Sequence, residues 1–121
     1  MPYEKITYDE IQQVVQRLYN KALGELNLKP EQAFAYVQDE SELLHNDDPV
    51  TNVVLQTAIY KWGAVHGVKL SKESVYAQDM LEVLSDACRK FDLLSEAEKG
   101  GLGVKFELVA AEISAVKELY L

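Results

Sequence analysis

The stretch Asn52-Val-Val-Leu-Gln-Thr-Ala-Ile-Tyr-Lys-Trp-Gly63 decides the fold. It is apolar around most of a helical circumference and holds the only tryptophan of the chain. A surface helix would show a single apolar stripe, and a half-buried strand would alternate apolar with polar residues. This segment does neither. It reads as the central helix of a small all-α domain, a helix that other helices must cover on several sides.

Four further segments of helical periodicity supply that cover. Thr7-Tyr-Asp-Glu10 has the spacing of a capping box, in which the Thr7 hydroxyl and the Glu10 carboxylate each accept from the other's backbone amide. The first helix is therefore predicted to begin at Tyr8. Its apolar positions Ile11, Val14, Val15, Leu18, Tyr19, Ala22 and Leu26 recur at spacings of three and four. Asn27-Leu-Lys-Pro30 ends it, because a residue before proline avoids the α region, and Pro30 opens a shorter second helix through Ala33, Phe34, Val37, Ser41 and Leu44. Asn46-Asp-Asp-Pro49 makes a turn with Asp48 as N-cap and Pro49 at the first helical position. The central helix then runs to a stop at Gly67.

Ser71 is the expected cap of a fourth helix carrying Val75, Tyr76, Met80, Val83, Leu84, Ala87, Cys88 and Phe91. Ser95-Glu-Ala-Glu98 is a second capping box, followed at once by Gly100-Gly-Leu-Gly103. These glycines are expected to break the helix after one turn, so that a fifth long helix starts near Val104 and continues to Leu121. Connections are short, which predicts antiparallel neighbours in a single-domain bundle of about five helices spanning residues 1–121. The predicted core includes Trp62, Ala58, Leu55, Val15, Leu18, Leu84 and Val109.

Composition limits the functions available. A chain of 121 residues with this apolar content buries enough surface to fold without a staple, and its single cysteine cannot form an internal disulfide. Met-Pro-Tyr-Glu-Lys-Ile-Thr lacks the basic start and apolar run of a signal peptide, and no stretch is long and apolar enough to span a bilayer. The chain reads as complete, and the expected compartment is the reducing cytoplasm. Twenty acidic residues against twelve basic ones give a net charge of -8, which disfavours nucleic acid and anionic membranes as partners. The same charge favours encounter with a basic protein.

No motif names a reaction. Gly101-Leu-Gly-Val-Lys105 lacks the spacing of a phosphate loop and any preceding strand, so a helix corner is the simpler reading. His45 and His66 lie too far apart for a single-helix metal pair, and each follows an apolar stretch near a helix end, where imidazole meets the last carbonyls. Cys88 falls on an apolar stripe between Leu84 and Phe91, the setting of a buried inert thiol. Asp39-x-x-Glu42 and Asp79-x-x-Glu82 each set two carboxylates one turn apart, the geometry with which all-α nucleotide pyrophosphohydrolases hold magnesium. Their order and the interval between the pairs differ from that family's pattern, and no basic clamp for a triphosphate accompanies them. The expectation is therefore no enzyme activity, no cofactor and no bound metal.

The densest charge feature runs from Gln38 to Asp48, with Asp39, Glu40, Glu42, Asp47 and Asp48 at the end of the second helix and in the turn beyond it. Carboxylates there oppose the helix dipole, a local cost of the kind that marks a binding surface. Tyr3, Tyr8 and Tyr36 lie close in sequence to acidic segments and offer amphipathic anchors. The expected partner-binding set is Asp39, Glu40, Glu42, Asp47, Asp48 and Tyr36.

Across residues 8 to 85 the order of parts resembles a family of small, mostly helical immunity proteins that protect bacteria from polymorphic toxins. The residues that carry the resemblance are the Glu- and Asp-rich second helix, the break Asp47-Asp-Pro49, the apolar helix with Ala58-x-x-x-Trp62, and Gly67-x-x-Leu70 leading into a charged helix. Gly67 follows Trp62 at a longer interval than the family pattern. The resemblance implies a stoichiometric inhibitor that occludes a toxin, often a nuclease with a basic groove. Two other readings stay open: the magnesium-dependent hydrolase, and a phage or mobile-element accessory protein forming a homo-oligomer through its last helix, Phe106 to Leu121.

Overall fold

The structure is a computed structural model and describes residues 8–41, 49–71, 73–102 and 105–121. The described residues form an all-α bundle of six helices. These are α1 (Tyr8–Asn20), continued by a π-helical turn (Lys21–Glu25), α2 (Pro30–Ser41), α3 (Pro49–Val65), α4 (Val75–Asp92), α5 (Glu96–Leu102) and α6 (Lys105–Tyr120).

The apolar stretch at the centre of the sequence is the centre of the fold. Every residue from Val53 to Tyr60 is buried, and α1, α2, α4 and α6 all pack against α3. The polar members of that run are satisfied locally: Thr57 donates to the Val53 carbonyl over 2.8 Å, and Gln56 exchanges amide hydrogen bonds with Gln38 of α2 at 3.1 and 3.4 Å. Gly63 sets how closely the helices approach. A Cβ at this position would lie 2.8 Å from the Tyr19 hydroxyl oxygen, 3.4 Å from Phe34 and 3.5 Å from Val68. Only a residue without a side chain lets α1, α2 and the segment after α3 converge there.

The buried Tyr19 and Tyr60 and the half-buried Tyr120 fasten the outer helices to α3. Tyr19 donates to the Ile59 carbonyl at 2.7 Å, Tyr60 to the Met80 carbonyl of α4 at 2.5 Å, and Tyr120 to the Tyr60 carbonyl at 3.1 Å. Each hydroxyl thus finds an acceptor while its ring fills the core.

Of the predicted core, Ala58, Leu55, Val15, Leu84 and Val109 are buried. Trp62 and Leu18 are only half-buried, packed against the core from its edge. Trp62 stays at the margin, where its indole N–H donates to Gln12 Oε1 at 2.7 Å and Lys61 Nζ lies 4.8 Å from the ring centre. Leu18 instead lines a pocket on the outside of α1.

Three local expectations change. Ser74, not Ser71, caps α4: its hydroxyl accepts from the Ala77 amide, while Ser71 Oγ accepts from Glu73 in the turn before. The Ser95 capping box forms as read, with Ser95 N donating to Glu98 at 2.9 Å and Glu98 N to Ser95 Oγ at 3.2 Å. The helix it starts is longer than one turn, however: α5 continues through Gly100 and Gly101, neither of which takes positive φ, and ends at Leu102, while α6 begins at Lys105, close to the expected Val104; Gly103 and Val104 lie outside the described residues. Glycine disfavours a helix by about 1 kcal/mol relative to alanine but does not forbid one. The first helix does not run as uniform α-helix to Leu26. Its last turn widens to π geometry and closes on Asn27 in the left-handed region, with the Leu28 amide donating to the Ala22 carbonyl at 2.9 Å. Thr7, Asp48 and His45 lie outside the described residues.

Candidate functional site

The acidic surface is built on α2 and α4. Asp39 and Glu40 close α2 as exposed side chains, and the last turn of that helix holds no basic residue to answer its dipole. Glu42, Asp47 and Asp48, the other acidic members of the expected set, lie outside the described residues. Tyr36, one turn before Glu40, is half-buried and packs against the core, so it offers only part of its ring to a partner. Tyr3 is also outside the described residues. Tyr8 lies half-buried on α1, its hydroxyl donating to Glu112 of α6.

The α4 side of this surface was not part of the expected binding set. Burial first, and then the charge of Asp39, raise the phenol pKa of Tyr76 above its ordinary value. Asp79 and Glu82 stand exposed on the next turns of α4. Further along, Asp86 is held by Arg89 and by Lys90, the latter at 3.0 Å, and this pairing pulls its carboxyl pKa below the ordinary value. Among the described residues, no ion pair answers Asp39, Glu40, Asp79 or Glu82. The expected apolar row of α4 includes Val75, Tyr76 and Val83, yet all three stand exposed, because the buried stripe runs through Ala77, Leu84, Ala87, Cys88 and Phe91.

Of the carboxylates that a magnesium site would require, Asp39 ends α2 and Asp79 and Glu82 lie exposed on α4, while Glu42 falls outside the described residues. Among the described residues no three His, Cys, Asp or Glu side chains gather closely enough to hold a metal ion. Cys88 is buried between Leu84 and Phe91, and burial raises its thiol pKa, which keeps it protonated and unreactive. His66 follows α3, its ring centre 5.3 Å from that of Tyr19.

Two other polar features were not foreseen. At the meeting of α1, α3 and α6, Glu112 accepts from Tyr8 and from Lys61 Nζ at 2.7 Å, and beside this pair Gln12 receives the indole N–H of Trp62. Gln12 is 8% exposed and its Nε2 has no hydrogen-bond partner, an uncommon cost in a core. On the outer side of α1, Val14, Arg17, Leu18, Asn20, Lys21 and Glu25 line a pocket of about 440 Å³ that spans the change from α to π geometry. The last helix exposes Leu108 and Leu119, each next in sequence to an exposed carboxylate, Glu107 and Glu118.

No helix among the described residues is long and apolar enough to cross a membrane. Comparison with protein-family models, with curated proteins and with solved structures finds no match for this chain.

Proposed function

We propose that this protein is a cytoplasmic protein-binding module, not an enzyme, and in its most specific form an immunity protein that neutralises a toxin by occluding it. The observation that carries the reading is the exposed carboxylate set Asp39, Glu40, Asp79 and Glu82, on the end of α2 and the first half of α4 and unanswered by any ion pair among the described residues. Placing like charges together on a surface costs stability and is retained where a complementary partner gains from it. The net charge of -8 extends the same field over the molecule and draws a basic partner in.

The test uses a basic toxin encoded beside this gene as partner and compares its association kinetics with the natural protein and with Asp39→Lys/Glu40→Lys. Association of the variant should be slower at low salt, and the difference should shrink as salt rises, because exposed charges are screened over about 8 Å at physiological ionic strength. Folding should be nearly unchanged, since both positions are exposed. Equal on-rates at low salt would remove the acidic surface from the binding reaction. Magnesium-dependent nucleotide turnover lost in Asp39→Asn or Asp79→Asn would replace the reading with the hydrolase.

A further inference from the structure

The exposed face of α4 combines two properties that surface helices usually keep apart. Val75 is 73% exposed, Tyr76 44% and Val83 37%, and the latter two stand two turns apart along one edge. Asp79 lies between them and Glu82 beside Val83, both exposed. The fold buries Ala77, Leu84, Ala87, Cys88 and Phe91, and Tyr76 and Val83 flank this stripe, one turn before Met80 and Ala87, as an exposed apolar margin of the helix. Charge varies along the helix in the same sense. Asp86 is neutralised by Arg89 and Lys90, whereas the first half, where the valines and the tyrosine are exposed, keeps its carboxylates free of any described cation.

We propose that this edge of α4 is a docking face for a basic amphipathic helix of the partner protein, whose apolar side chains cover Tyr76 and Val83 while its Lys or Arg residues reach Asp79 and Glu82. The proposal rests on the acidic binding reading above and names the partner's chemistry. An apolar row alone would suit many occupants; carboxylates interleaved with it select one whose apolar and cationic residues alternate at helical spacing. Tyrosine is suited to the contact, because its ring supplies apolar area and a face for a cation.

The probe is a synthetic helix of leucine and lysine with leucines two turns apart along one edge, compared with a peptide of equal charge in which serine replaces leucine. Binding to the intact protein is followed by backbone amide shifts and by titration. The leucine peptide should bind more tightly than the serine peptide and perturb the amides of residues 75–83. Tyr76→Ala/Val83→Ala should weaken it by roughly tenfold, as loss of an apolar anchor does, with an unchanged circular dichroism spectrum. Asp79→Lys/Glu82→Lys should weaken it in a manner that fades with salt. Equal binding of the two peptides, amide shifts confined to other helices, or wild-type affinity in Tyr76→Ala/Val83→Ala would each overturn the docking face. If that variant associates normally with the natural partner while Asp39→Lys/Glu40→Lys is slowed, the α4 face falls and the acidic reading stands; if both associate normally, both fall.

Discussion

Gly63 shows how much a single residue decides. The sequence presents it as the end of an apolar run, but its role is spatial: the Tyr19 hydroxyl occupies the volume that a Cβ would need, at 2.8 Å, and that hydroxyl is already committed to the Ile59 carbonyl. Gly63→Ala should therefore destabilise the protein by about 1–3 kcal/mol, despite alanine's better helix propensity, because overpacking and a disturbed buried hydrogen bond outweigh it. Urea unfolding of the variant gives the check, and a midpoint at or above that of the natural protein would show that Tyr19 can move aside freely. Trp62 marks the limit of reading by residue type. Its apolar neighbours and position on the central helix argue for full burial, yet its indole N–H needs an acceptor, and the available one, Gln12, sits at the edge of the core. Hydrophobic period identifies which face turns inward; it does not say where on that face the polar atom of an amphipathic ring will be satisfied. The half-buried state of Tyr36 and the engagement of Tyr8 with Glu112 follow the same rule, which is why tyrosine count alone overstated the surface supply of anchors.

At the level of elements, the signals that worked were those with a local mechanism. Pro30 and Pro49 open α2 and α3, Gly67 takes φ of 87° where the chain turns after α3, and the Ser95 box closes with both reciprocal bonds. What failed was the weighing of local against tertiary terms. Two adjacent glycines look like a helix stop, but α5 is short, begins with a formed box, and packs against α6. The widening of the first helix into a π turn was not legible, since an extra backbone residue per turn leaves no composition signature. Gly100 and Gly101 offer a direct test of the helical assignment. Neither has positive φ and a Cβ at either meets nothing within 4 Å, so alanine fits both sites. Gly100→Ala and Gly101→Ala should each stabilise by about 0.4–1 kcal/mol, mainly by restricting the unfolded chain. Destabilisation by either would mean that this segment needs glycine's conformational range. Half of the candidate site belongs to this scale as well. The carboxylates of α2 were readable as a run, whereas the contribution of α4 depends on which of its residues the packing of that helix on α3 leaves exposed, which only tertiary structure decides.

Among the described residues, one kind of contact recurs between α1, α3, α4 and α6: a tyrosine hydroxyl donating to an acceptor on another helix. Tyr19 joins α1 to α3, Tyr60 joins α3 to α4, Tyr120 joins α6 to α3, and Tyr8 joins α1 to α6. Burial raises all four phenols from an ordinary value of 10.0, with Tyr120 pushed up to about 12 and Tyr8 further influenced by its bond to Glu112. The sign of the linkage follows. A phenol whose folded pKa exceeds its unfolded value favours the folded state fully below about pH 10, and that stabilisation is lost as pH rises through the folded value. Ionisation of any of them also removes the donor that ties two helices, so the losses reinforce one another. The bundle should remain intact to about pH 10 and then unfold cooperatively toward and beyond pH 12, with tyrosinate absorbance and loss of helical circular dichroism rising together. If all the tyrosines titrated near pH 10 while the helical signal held, the hydroxyl joints would not be what fastens the outer helices, and apolar packing around α3 alone would have to account for the bundle.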